Sequence, residues 1–294
     1  MPPESTEELT SAETHRTLTG WLPEDEGIQL LLGRVPTPAD DVAAIRRQLS
    51  DRRAAVADRE PYGASDPMVE PEGRSGLDAV SSRPEVRAAF EGMDWRVTTV
   101  NLESVLSVQK AIRVSGLDER MARLRQDGGA LLEFCLPSEQ PSSPARAFAD
   151  VDGRGVTMSS PNPNLRLAGM QVVQPPAGPD APPVQEQGLM VLVQLKASYL
   201  QVARYRGRHF LIDGYHRAAG LLRAGITTVP CVFIEAQSFE QVVSMPGLFT
   251  YETVFADRPP RLVDFWDPEV SDDVVRPAVR KVIRVRGDEF VVEG

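Results

Sequence analysis

Residues 210–230, FLIDGYHRAAGLLRAGITTVP, contain the reading on which the fold turns. Phe210–Ile212 form a short apolar run of strand type and Asp213–Arg217 a polar turn, while Ala218, Ala219, Leu221 and Leu222 occupy the apolar positions of a helix. Asp213-Gly214 closes the strand with residues that tolerate unusual backbone angles, and Gly225 stands where a helix C-cap is expected. A second strand begins near Thr228. The order strand, tight turn, helix, glycine stop, strand predicts an α/β unit. A turn that opens a helix leaves backbone N–H groups unpaired. Because this one also carries His216 and Arg217, it predicts an anion site.

Working outward, YLQVARYRGRHFLIDG (199–214) reads as two strands joined at Arg206-Gly207, with MVLVQL (190–195) as a buried strand before it and CVFIEA (231–236) as a strand after it. Phe239–Val243 begins a helix, and KVIRVRGDEFVVEG (281–294) reads as a hairpin turning at Gly287-Asp288. Upstream, Arg96–Val100 predicts a strand, with a helical turn from about Leu102 and a helix over Leu117–Gln126. Between Gly128 and Gly188 the periodicity is poor. Ala130–Leu136 reads as a strand, a strand pair is expected around Val156 and over Leu165–Val173, and the proline-rich stretch 174–188 reads as a mobile linker. Thr37 as N-cap and Pro38 at the first helical position predict a helix to about Arg59, stopped by Pro61-Tyr62-Gly63, and a short helix follows over Arg83–Gly92. The expected organisation is a disordered acidic tail (1–20), a helical N-terminal extension (21–94), a core domain (95–236) interrupted by an insertion at about 128–188, and a mixed C-terminal extension (237–294).

The 294 residues are 41% hydrophobic and 25% charged, which suits a folded, soluble protein. No apolar run approaches the roughly 18 residues a membrane span needs, and the opening MPPESTEELTSAETH lacks a basic-then-apolar signal pattern, so no membrane partner and a cytoplasmic location are expected. Cys135 and Cys231 lie far apart with no CxxC partner and are expected in the core. The net charge of -10 argues against a surface built to grip nucleic acid. The charge is uneven: residues 1–40 hold eight acids against Arg16 and Arg34, whereas 199–225 hold five arginines against Asp213 alone. No GxxxxGK[ST], GxGxxG or HExxH pattern occurs, and His15, His209 and His216 have no zinc-like spacing, so no metal held by a protein cage is expected.

The stretch HFLIDGYHRAAGLLRAGITTVPCVFI (209–234) resembles the ParB/sulfiredoxin-like superfamily, in which an apolar strand leads to G-x-[HR]-R, an alanine-bearing helix, a glycine, and V-P entering a strand. VTTVNLESVLSVQKAIRVSGLDERMARLRQDG (97–128), with Gln109 and Arg113, is similar to the start of that domain. Together the two parts cover about 80 residues, separated by an insertion of roughly 60 that the usual pattern lacks. The resemblance implies an α/β (α+β) ParB/sulfiredoxin-like core whose turn binds the phosphates of a nucleotide (ATP, ADP or CTP), with Mg²⁺ bridging them. Sulfiredoxins carry a cysteine where this chain has Tyr215, and Cys231 lies beyond the helix, so sulfiredoxin chemistry is not implied. Chromosome-partition members add a helix-turn-helix domain. The residues after Ala236, with Pro246-Gly247, Pro259-Pro260 and DFWDPEVSDD, do not resemble one. The Asp213-Gly214-Tyr215-His216-Arg217 turn is most similar to the free-serine-kinase-like branch.

Arg217 offers a planar fork for phosphate oxygens, or a surface salt bridge. His216 can hydrogen-bond a phosphate or shuttle a proton, or be structural. Asp213 can activate a hydroxyl or hold a metal, yet Asp before Gly is what any tight turn uses. Gly214 belongs to the phosphate-binding turn. Tyr215 can stack on a base, bond a substrate or cover the strand. The resemblance places Glu103 where kinases of this fold set a carboxylate beside the acceptor hydroxyl, the alternative being an exposed helix-start glutamate. Gln109 and Arg113 approach the nucleotide from the facing element, or form a solvated face. Three functions follow as expectations: a phosphotransferase or nucleotide hydrolase acting on a small molecule or protein, a nucleotide-sensing module that controls a protein partner, and, least favoured by charge, a DNA-partition or nuclease-like protein.

Overall fold

The computed structural model describes residues 12–32, 39–63, 65–70, 75–126, 131–138, 146–149, 154–160, 165–173, 188–195, 198–243, 247–278, 281–288 and 290–291. In chain order the elements are β1 (Ala12–Thr17), α1 (Glu24–Leu32), α2 (Ala39–Ala57), β2 (Met68–Val69), α3 (Ser75–Ser81), α4 (Pro84–Ala89), β3 (Trp95–Asn101), β4 (Leu106–Ser107), β5 (Ala111–Arg113), α5 (Leu117–Gln126) and α6 (Leu131–Cys135). There follow β6 (Arg146–Ala149), β7 (Gly155–Ser160), β8 (Leu165–Val173), β9 (Gly188–Leu195), β10 (Gln201–Tyr205), β11 (Arg208–Asp213), α7 (Tyr215–Arg223), β12 (Thr228–Glu235), α8 (Tyr251–Val254), β13 (Asp272–Pro277) and β14 (Lys281–Arg286). The fold is α+β. Among the described residues no helix is long and apolar enough to cross a membrane.

The chain divides into two compact units, residues 1–138 with 198–278, and residues 139–197 with 279–294. The first is built on a six-stranded mixed sheet of order β2-β3-β12-β10-β11-β4. β12 lies at its centre, and its apolar run Val229–Ile234 is buried without alternation, as a strand covered on both faces requires. β10 and β11 form a hairpin through Arg206 (φ 49°) and Gly207 (φ 73°), both in the left-handed region that a two-residue hairpin turn demands. β12 then returns parallel to β10, with α7 as the crossover. α7 buries Tyr215, Ala218, Ala219 and Leu221 on one side. Gly220 lets α5 come close, since a Cβ there would lie 3.0 Å from Met121 Sδ. Cys135 and Cys231 are both buried and free, as expected.

A second sheet in this unit, β13-β1-β5, overturns part of the sequence reading. Residues 12–17, assigned to a disordered tail, are its central strand, pairing antiparallel with β13 and β5. Their partners lie roughly 100 and 260 residues away, so no local pattern announces them. The helical N-terminal extension also adds to the main sheet, since β2 joins its edge beside β3. Residues 131–135, read as a strand, form α6, and the expected helix at Phe239 is a single 3-10 turn, Phe239–Gln241.

The second unit contains the sheet β14-β7-β6 and the antiparallel pair β8-β9, in which Leu189, Met190 and Leu192 are exposed, so the strand expected to be buried at 190–195 is not. β7 and β8, expected to pair with each other, instead find β6 and β14, and β9, respectively. β14, read as one arm of a terminal hairpin, pairs with β7 over Ser160–Gly155. The proline-rich stretch 174–187 lies outside the described residues.

Candidate functional site

The 213–217 turn forms as its sequence predicts, but its side chains are committed inward. Gly214 opens α7 at φ +86°, and a Cβ there would lie 2.9 Å from the Cα of Leu200, so both the angle and the space call for glycine. Asp213 closes the turn: Oδ1 accepts from the Gly214 N–H at 2.7 Å and from Ser198 Oγ at 3.4 Å, and Oδ2 accepts from Gln201 Nε2 at 3.2 Å.

Tyr215 corrects the expectation of a pocket-lining ring. It is buried, its hydroxyl donates to the Leu211 carbonyl (2.6 Å) and accepts from the N–H groups of Val108 (2.8 Å) and Gln109 (3.2 Å), and burial pushes its pKa up to about 12. The tyrosine ties the chain after β4 to β11. Arg217 is corrected likewise. Its Nη1 donates to the carbonyls of Cys135 (3.0 Å) and Phe134 (3.3 Å), and its Nη2 donates to the Ser198 carbonyl and to Ser198 Oγ (2.6 Å). The fork predicted for phosphate satisfies the last carbonyls of α6, which have no partner within that helix. His216 is half-buried at the start of α7.

The other predicted residues go to separate places. Arg113, on β5, donates to Glu13 Oε1 at 2.8 Å and is held in that ion pair. Gln109 bridges to Leu248 and lines a cleft of about 400 Å³ that also includes His15, Thr17, Lys110 and Arg276. Glu103 stands exposed in the 3-10 turn Leu102–Ser104, which Asn101 caps by accepting from the Glu103 N–H at 3.0 Å. It lines a cleft of about 320 Å³.

Three segments join the Glu103–Ser104 turn in building this cleft. Trp21 leads into α1, Arg59–Gly63 follow α2, and Arg258-Pro259-Pro260-Arg261 cross between α8 and the 3-10 turn at Leu262. The stacking and anchoring are specific. Arg59 donates from Nη1 to the buried Asp264 at 2.8 Å and from Nη2 to Asp267, and its guanidinium lies 5.4 Å from the centre of the Trp21 ring. Burial raises the pKa of Asp264, against the pull of the Arg261 N–H and the Arg59 charge. Trp21 Nε1 donates to the Arg258 carbonyl at 2.7 Å, and Arg258 Nε donates to the Arg59 carbonyl at 2.5 Å.

Several polar groups around the cleft are left over from these contacts. Among the described residues Arg258 makes no ion pair, and Nε is its one side-chain nitrogen in a hydrogen bond. Arg261 is 43% exposed, with Nη2 3.4 Å from Asp264 Oδ1. The Tyr62 hydroxyl is buried with no partner, and burial raises its pKa, while Arg208 sits 5.2 Å from the ring centre. The cleft therefore combines guanidinium donors, two aromatic rings and the Glu103 and Glu60 carboxylates. Its volume of about 320 Å³ is at the lower end for ligand sites, and its lining is more charged than the mostly apolar walls such sites usually have.

Sequence reasoning found one of these residues, Glu103. The overlooked signal is Arg258-Pro259-Pro260-Arg261, two cations held at fixed spacing by rigid prolines. The 213–217 turn lines neither cleft, and the Tyr215 hydroxyl and both terminal nitrogens of Arg217 donate to protein oxygens instead of facing either cleft. Among the described residues no three His, Cys, Asp or Glu side chains converge as a metal site. Comparison of the chain with family models, with curated proteins and with solved structures finds no match to any of them.

Proposed function

We propose that this protein binds a phosphate-bearing ligand of the nucleotide class in the Glu103 cleft, on a core of ParB/sulfiredoxin-like kind. The observation that carries the reading is the guanidinium of Arg258, which makes no ion pair among the described residues and uses one nitrogen in a hydrogen bond, sharing one cleft with Arg261, the unpartnered Tyr62 hydroxyl and Glu103. Arginine forks match phosphate oxygens, and a buried hydroxyl without a partner gains one when a ligand oxygen arrives. Trp21 and Tyr62 offer ring edges and faces to a planar group. Glu103, exposed and joined to Asn101 Nδ2 by a long contact of 3.5 Å, is placed to take a proton from a small-molecule or protein hydroxyl. The strand, turn, helix, strand order of residues 208–235 supports the resemblance to the family's core, while the phosphate site moves away from the turn. Mg²⁺, if it accompanies the phosphates, would be shared between them and few protein oxygens, as is usual for that ion.

The test is an unfolding-temperature and calorimetric screen of ATP, ADP, CTP and GTP, each with and without Mg²⁺. A ligand held at 100 times its dissociation constant adds about 2.7 kcal/mol. Arg258→Gln is expected to weaken binding by roughly ten- to a hundred-fold, the worth of a charge-assisted hydrogen bond. Glu103→Gln is expected to bind as wild type does and to lose any product formation. Binding without product in the wild type would select a sensing module. No response to any of the four nucleotides would overturn the proposal.

A further inference from the structure

The second cleft lies against the three-stranded sheet and belongs to neither the 213–217 turn nor the Glu103 cleft, with which it shares no lining residue. Antiparallel partners share a face, so the register Glu13↔Arg276, His15↔Val274 and Thr17↔Asp272, with Thr17↔Ala111 across β5, puts His15, Thr17 and Arg276 on one side of the sheet. Leu22, Leu30 and Leu248 supply apolar wall around about 400 Å³.

Two groups in this cleft lack partners. Thr17 is 1% exposed, and its Oγ1 has no hydrogen bond. Such a hydroxyl costs stability unless a ligand or water completes it. Arg276, half-buried on β13, makes no hydrogen bond or ion pair among the described residues, although the neighbouring cation Lys110 is held at 2.8 Å by both oxygens of Glu26. Glu13, which stands opposite Arg276 on β1, is held by Arg113 at 2.8 Å in the same way. The lining thus sums to one excess positive charge, Lys110 and Arg276 against Glu26; Glu26 also acts on Arg276 across the cleft, but among the described residues Arg276 is the cation of the lining without an ion pair.

We propose that this cleft binds a small organic carboxylate with a short apolar chain, its carboxylate on Arg276, the chain against the leucines, and the Thr17 hydroxyl giving one further hydrogen bond. One unpaired cation sets the ligand charge at minus one. The leucine walls favour a hydrocarbon chain over a second charge, and a hydrated dianion such as phosphate would leave them unused. The test uses the full chain with the straight-chain acids butyrate to octanoate, the amides of the same chain lengths, and inorganic phosphate, read by calorimetry and unfolding temperature. An acid of matching length is expected to bind at least tenfold more tightly than its amide. Arg276→Gln is expected to erase that difference. Thr17→Val is expected to raise the unfolding temperature of the ligand-free protein, because an unpartnered hydroxyl is removed, and to lower affinity for the acid. His15, whose pKa burial and the charge of Arg276 hold below 6.5, is expected to titrate higher once the acid is bound, as seen by NMR. The proposal is overturned if no acid binds at millimolar concentration, if acid and amide bind equally, or if phosphate binds as well as the best acid.

Discussion

Tyr215 shows how one residue can look functional in sequence and be structural in space. The hydroxyl answers one carbonyl and two N–H groups in a site closed to water, so Tyr215→Phe leaves buried backbone groups unpaired. A loss of about 1–3 kcal/mol in chemical denaturation is expected, with ligand affinity at either cleft unchanged. Arg217→Ala removes a cation from four oxygen contacts, and a loss of similar size or larger is expected by the same measurement, again without loss of binding. Weakened ligand binding with unchanged stability in either variant would return the turn to the site. Little in FLIDGYHR distinguishes these roles, because apart from the Leu211 carbonyl the partners of both side chains lie on α6, on Ser198 and in the chain after β4.

Among the elements, the chain before α1, helix α2 and strand β13 meet at Asp272. Its carboxylate accepts from Thr19 Oγ1, from Gln48 Nε2 at 2.8 Å and from Arg52 Nη2 at 2.8 Å. These bonds outweigh burial and hold its pKa below the ordinary value. Asp272→Ala leaves Arg52 and Thr19 without their acceptor. A cost of about 2–3 kcal/mol is expected in urea unfolding, below the ~3–5 of a fully buried pair because Arg52 remains partly solvated. The start and stop signals of the sequence, Thr37, Pro38 and Pro61-Tyr62-Gly63, placed α2 within two residues at each end. The partner it packs on was not legible, since the acid that anchors it lies more than 200 residues away. The same holds for the candidate clefts, whose walls are drawn from segments far apart in the chain.

Across the whole molecule, both His209 and His15 have pKa values lowered chiefly by burial. The sign follows: the folded state holds both neutral, so below about 6.5 the unfolded chain binds protons that the folded one does not. Stability is therefore expected to fall as pH drops from 6.5 toward 5. His209, whose two ring nitrogens have no partner and whose ring lies 6.0 Å from that of Phe233, is the larger test. His209→Phe is expected to flatten the decline and to raise stability at pH 5.5, and an unchanged slope would exclude this residue as a source. Division into two units gives a further expectation. Truncation after Ala278 removes β14 from the β14-β7-β6 sheet but no strand of the first unit, so the unfolding transition of that unit and ligand binding at both clefts should persist.

The sequence by itself determined the elements whose information is local: the hairpin at Arg206-Gly207, the glycine-opened helix after Asp213, the buried run of β12, the helices at 39–57 and 117–126, and two core cysteines. Periodicity, turn chemistry and apolar runs are written within a dozen residues, and so can be read there. Tertiary structure alone decided that residues 12–17 are a central strand, that residues 131–135 are helical, that β7 and β8 choose other partners, and that Arg217 serves α6 while Arg258 faces a cleft. Each of these depends on which distant group lies opposite, because a guanidinium is chemically the same whether it meets a carbonyl, a carboxylate or a ligand, and only the packed chain assigns it one of the three.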